Sequence, residues 1–182
     1  ILKILLIDLK NNLHIRILSQ YFYPDVASTG QLLTELAVGL TGKGIDVSVI
    51  TAKPTYAGKL DASKREEFNS VKIRRLKATR LNKNSKKGQI FNSISFFVRA
   101  FFYIIFLKNN DPLLIVSNPP FLPLMGYLVY RLRGIEYIIL IHDVFPEKAI
   151  RLNYIPEKGF LAKFWKFWDK KSLKHASKVV VI

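Results

Sequence analysis

Apolar positions change period several times along the chain, and each change predicts an element. From His14 to Ser19 a short alternating run predicts a first strand, followed by the loop Gln20-Tyr-Phe-Tyr-Pro-Asp-Val-Ala27. Leu33, Leu36, Ala37 and Leu40 then recur at helical spacing until Gly42 and Gly44 close the helix. Ser28-Thr29-Gly30-Gln31 has the form of a capping box, with Ser28 at the N-cap and Gln31 three residues on. Ile45 to Thr51 is β-branched and predicts a second strand. The result is a β–α–β unit, whose right-handed crossover makes its strands parallel.

Beyond it, Lys53 to Asn69 is polar and glycine-containing, Val71 to Leu76 predicts a third strand, and Arg80 to Gly88 reads as a basic exposed loop. Ile90 to Leu107 has about the length of a membrane crossing. Arg99 in mid-helix, with Asn92 and Ser95 on the same face, argues against spanning and predicts a helix of the domain core by default, or one partly sunk into an interface. Leu113 to Ser117 is a short strand, Pro119-Pro120 opens a helix running from about Leu122 to Leu132, and Ile135 to Ile141 is a further strand. Gly159 to Lys174 predicts a last helix and Val179 to Ile182 a last strand. Strands alternating with helices predict an α/β fold: a Rossmann-like open, mainly parallel sheet with helices on both faces. Residues 1–12 read as an N-terminal extension, too short and too interrupted by Lys3 and Asp8 for a secretory signal, and residues 13–182 as one domain. Because the chain stops inside the apolar run Lys178-Val-Val-Val-Ile182, the expectation is a domain cut from a longer protein.

Charge adds a partner class to this picture. The formal net charge is +16 and is concentrated in two places. From Phe68 to Asn110 there is no acid, and a second group of lysines from Lys158 to Lys178 faces only Asp169. Such an excess favours polyanions, namely nucleic acid, anionic headgroups or phosphorylated small molecules. In the last predicted helix Leu161, Phe164, Trp165 and Trp168 share one face, while Lys163, Lys166, Lys170 and Lys174 line another. That arrangement suits a helix lying in a headgroup layer, with Lys163, Trp165, Lys166, Trp168 and Lys170 as its contacts. It also suits a helix packing its aromatics on the sheet. The chain has no cysteine, which excludes disulfides, thiolate catalysis and cysteine-based metal sites. Its three histidines, His14, His142 and His175, are too scattered to suggest zinc.

Ligands of such a sheet bind beyond the carboxyl ends of its strands, and three segments fall there. Ser28-Thr29-Gly30 opens a helix, where backbone N–H groups and a missing side chain suit a phosphate. By itself this is an ordinary helix start, since neither a G-x-G-x-x-G nor a P-loop is present. Ser117-Asn118-Pro119-Pro120 alone is likewise a proline-led helix start. His142-Asp143-Val144-Phe145-Pro146-Glu147 is different, because it sets a histidine and two acids within six residues at a strand end.

Taken in order, His14-Ile-Arg-Ile-Leu-Ser-Gln-Tyr-Phe-Tyr-Pro-Asp25, Thr29-Gly30, Gly44-Ile-Asp-Val-Ser-Val-Ile-Thr51, Ser117-Asn-Pro-Pro120, Asp143-Val-Phe-Pro-Glu147 and Ala176-Ser-Lys-Val-Val-Val-Ile182 resemble the N-terminal domain of the family-four retaining glycosyltransferases. Bacterial members that build O-antigen, capsule and exopolysaccharide are the nearest in pattern. The resemblance implies the N-terminal half of a GT-B fold, with the active site in a cleft against a second domain that binds most of the nucleotide-sugar. It implies donor contacts at Thr29 and Gly30, the sugar-facing catalytic role at His142 or Asp143, and acceptor contacts at Tyr23, Asn118 and Glu147. It implies no metal and no cofactor beyond the nucleotide-sugar donor. It also implies a lipid-linked glycan acceptor, an anionic membrane surface, and a cytoplasmic location peripheral to the inner face of the plasma membrane. The family's pair of glutamates with seven residues between them is absent from the chain, so the fragment is expected to be inactive alone. The rival reading is a non-catalytic basic α/β domain that binds nucleic acid or anionic membrane; no nucleic acid is expected on the first reading.

Overall fold

A computed structural model describes residues 14–54, 62–82 and 85–182, so the extension at residues 1–12 lies outside the described residues. The strands are β1 (His14–Leu18), β2 (Asp46–Ala52), β3 (Arg65–Phe68), β4 (Val71–Leu76), β5 (Leu113–Val116), β6 (Tyr137–Ile141) and β7 (Lys178–Val181). The helices are α1 (Ser28–Thr41), α2 (Lys86–Ile105), α3 (Leu122–Arg133), α4 (Glu147–Arg151) and α5 (Phe160–His175). All seven strands form one sheet in the order β3-β4-β2-β1-β5-β6-β7. Every pairing is parallel except β3 against β4. The strand order reverses on either side of β1, which makes β1/β5 the switch point of a doubly wound sheet.

Alternation along each strand sorts the side chains into two cores. Ile15, Ile17, Val47 and Val49 meet Leu33, Leu36 and Leu40 of α1 on one face. On the other, Leu18, Ile50, Leu113, Ile115 and Ile139 meet Phe96, Ala100 and Ile104 of α2 and Met125 and Val129 of α3. Helices α2, α3 and α5 lie side by side on that second face. There α3 comes unusually close to the sheet, because a Cβ at Gly126 would stand 2.5 Å from the Tyr137 ring and 2.7 Å from Ile115.

Three expectations change. No capping box forms: Ala27 is the N-cap, Gln31 N–H donates to Ala27 O at 3.0 Å, and Ser28 is therefore already inside the first turn. The polar stretch before β4 contains β3, an Arg-Glu-Glu-Phe strand without an apolar stripe. It turns back through Asn69 and Ser70 at positive φ and is held by pairing with the open edge of β4. A short helix, α4, follows the His142–Pro146 loop. As for α2, its face of Gly88, Asn92, Phe96, Ala100 and Ile104 is buried, as a domain helix requires. Its polar side chains hold the segment leaving β4: Asn92 bonds both backbone groups of Leu81, and Ser95 Oγ accepts from Thr79 N–H.

Candidate active site

The loops after β1 (19–27), β5 (117–121) and β6 (142–146) reach the same carboxyl edge of neighbouring strands. Each contains a cis X-Pro bond: Tyr23–Pro24, Asn118–Pro119 and Phe145–Pro146.

Ser117 fastens the second loop to the third. Its buried hydroxyl oxygen accepts the backbone N–H of His142 at 2.9 Å and of Asp143 at 3.0 Å. Two lone pairs on one oxygen suffice for both, so the backbone of the pair is fixed while its side chains point elsewhere. The Asp143 carboxylate lies 2.6 Å from Lys148 Nζ, a cation that α4 brings to the site. His142 is half-buried, and its Nδ1 has no hydrogen-bond partner among the described residues. Glu147 opens α4, is exposed, and lies 3.9 Å from Lys166 Nζ on α5.

Trp165 of α5 supports both loops from behind. Its indole stacks on Phe121 at 4.9 Å and on Phe145 at 5.6 Å, the latter with planes 3° apart. One turn on, Asp169 borders a cavity of about 50 Å³ together with Ser117, Asp143 and Phe145. Burial, and after it the charge of Glu147, raises the Asp169 carboxyl to about 6. The sequence reading treated Asp169 only as the lone counter-charge of a lysine run. Its offset of four from Trp165, on the apolar side of the helix, was the available signal.

The first loop is engaged mainly with itself. Thr29 and Gly30 are buried, and a Cβ at Gly30 would meet Asp25 O at 3.0 Å, so the close approach that glycine permits here is by its own loop. Thr34 Oγ1 donates to Gly30 O at 2.7 Å and accepts Tyr23 N–H at 3.3 Å. Tyr23 is thereby drawn beside the second turn of α1 and stacks on Phe68 at 3.9 Å. Phe68 pairs with Val71 at the amino end of β4. Of the expected acceptor contacts, Tyr23 is thus engaged with Thr34 and Phe68, whereas Asn118 and Glu147 belong to the β5 loop and to α4. Asn118 is half-buried beside Ser117, in the same loop edge as the His142–Asp143 pair. Gln20, directly after β1, escaped notice; it is 3% exposed with Oε1 unpartnered among the described residues. A polar residue following a buried strand at the switch point was its only signal.

On α5 the tryptophans and the lysines of the expected headgroup contacts separate. Trp165 and Trp168 face inward, the latter against Tyr127 of α3. Lys163, Lys166 and Lys170 are exposed, and the exposed rings are Phe160, Phe164 and Phe167. Among the described residues no group of three His, Asp or Glu is placed to hold a metal ion.

A doubly wound sheet whose β5 and β6 loops are locked together at its carboxyl edge defines the class: a Rossmann-like α/β domain. The chain belongs to Glycosyltransferase Family 4, whose pattern matches residues 29–182. No curated protein matches its sequence. Among solved structures, sucrose-phosphate synthase from Thermosynechococcus elongatus shares the fold with a TM-score of 0.60 over 92% of this chain, at 16% identity. The chain spans 42% of that protein. The shared architecture is the Rossmann-like N-terminal domain of a GT-B glycosyltransferase.

Proposed function

We propose that this domain forms the acceptor side of a retaining glycosyltransferase that moves a sugar from a nucleotide-sugar to a lipid-linked or glycan acceptor in bacterial surface polysaccharide synthesis. The observation that carries the reading is Ser117, which ties His142 and Asp143 to the carboxyl edge next to the switch point with fixed backbones and a lysine beside the carboxylate. The acceptor hydroxyl attacks the anomeric carbon on the face the diphosphate leaves. The carbon–oxygen bond to the leaving diphosphate breaks, and a phosphate oxygen takes the hydroxyl proton. His142 or Asp143 orients the sugar and Asn118 borders the acceptor. The work is positional and electrostatic and requires no metal. The setting is the cytoplasmic face of the plasma membrane, where a lipid-linked acceptor is presented.

The test is release of nucleoside diphosphate from a panel of nucleotide-sugars by the complete polypeptide of the native reading frame, with lipid-linked acceptors. Asp143→Asn should cost about 100-fold in turnover, in line with loss of orientation at the reacting centre. Ser117→Ala should cost turnover through misplacement of the same pair. Full activity in both variants sinks the reading, as does a folded protein that consumes no donor.

A further inference from the structure

Beyond its buried face, α2 presents an apolar one. Ile90, Ile94, Val98, Phe102 and Phe106 follow one another at intervals of four residues and are between 45% and 79% exposed. Helix α2 is long and apolar enough to cross a membrane, yet its other face is built into the domain core. An exposed apolar stripe of this length on a folded domain marks a contact surface.

Directly beside the stripe lies a groove of about 370 Å³, walled by Val98, Phe102 and Tyr103 on one side and the end of β4 on the other. Lys64, Arg74, Lys77 and Arg99 line it, and among the described residues no acid does. Arg75, also on its wall, is already paired with Glu66 at 2.7 Å. Arg74 lies 5.4 Å over the Tyr103 ring, and its Nε has no partner among the described residues. A row of cations along one edge of an apolar ridge complements a layer in which phosphates lie above acyl chains.

We propose that α2 is the docking element for an anionic phospholipid surface: the stripe enters the acyl boundary and the groove receives a headgroup phosphate. This deepens the reading of a chain that works at a membrane, and moves the contact from the α5 tryptophans to α2. Among helices and strands α2 meets β4 and α3, and at its amino end Lys86 Nζ lies 4.1 Å over the Tyr154 ring, just beyond α4.

The experiment is flotation of the full chain with phosphatidylcholine vesicles and with vesicles containing phosphatidylglycerol. Four proteins are compared: the native chain, Lys77→Gln with Arg99→Gln, Phe102→Ser, and Lys163→Gln with Lys170→Gln on α5. All the substituted residues are exposed, and unchanged thermal melts check the fold. The native chain should float with anionic vesicles only. Removing the two groove charges should weaken partitioning about 30-fold at modest salt. Phe102→Ser should weaken it as well, while the α5 pair should matter less. Binding lost through the α5 substitutions and untouched by the α2 ones overturns this proposal and leaves the membrane reading standing. Equal flotation with neutral vesicles, or none with either, overturns both. Dimerisation abolished by Phe102→Ser without vesicle binding also overturns it, in favour of a second copy of the chain.

Discussion

On the β5–β7 side of β1, the face under the helices is apolar and closely packed: Leu113, Ile115, Ile139 and Tyr137 lie beneath Met125 and Val129, with Gly126 pressed on the Tyr137 ring. On the β2–β4 side the same face is apolar only toward the carboxyl ends. Toward the amino ends His14, Arg16, Ser48, Lys72 and Arg74 border a cavity of about 570 Å³. Arg16 and His14 converge there on Asp111, at 2.6 and 2.8 Å. The half that carries the candidate site is thus held by shape, and the other half by ion pairs around buried cations. Shape fixes atoms closely and tolerates no added volume, whereas ion pairs hold only while both partners remain.

The largest expected effect tests the ion-pair half. Arg75 has a fully buried side chain, and Glu66 is its carboxylate partner at 2.7 Å. Glu66→Ala should cost about 3 kcal/mol in denaturant unfolding by stranding the guanidinium, and adding Arg75→Met should recover most of it. A loss below about 0.5 kcal/mol, the size typical of an exposed pair, would erase the contrast. Next comes the shape-held half. Gly126→Ala adds one methyl where no space exists and should cost about 2 kcal/mol by the same measurement, with Tyr137 displaced. An unchanged midpoint would mean the α3 contact is looser than its distances indicate.

The smallest effect concerns pH. Asp169 is held near 6 in the folded state, above its ordinary 3.8. Between those values the folded chain keeps a proton that the unfolded chain has released, so stability falls as pH rises through about 4 to 6. Asp169→Asn should therefore stabilise the protein above pH 6 and make no difference below pH 4. A gain that persists unchanged at low pH would point to packing rather than ionisation.

Predictions from periodicity and from tertiary contact fared differently. Strands such as Val71–Leu76 and helices such as α3 were legible because their apolar positions repeat at the period of the element they form. The place of His142 and Asp143 at the carboxyl edge was legible because they directly follow a buried strand of a parallel sheet. The strand Arg65–Phe68 was not, since its residues carry no stripe and it exists only because β4 offers an unpaired edge. Nor was Ser117, whose importance lies in two N–H groups 25 and 26 residues away.

Sequence alone determined the order of the parallel strands and of the longer helices, and which loops reach the carboxyl edge, because local period and crossover handedness decide these without distant partners; the antiparallel β3 and the short α4 were not among them. Only the tertiary structure decided which way ambiguous faces turn. In α5 the tryptophans go inward onto Phe121, Phe145 and Tyr127. In α2 a row of isoleucine, valine and phenylalanine is left outside. A helix with apolar residues on more than half of its circumference has two faces that satisfy its pattern equally well, and the neighbour it meets selects between them.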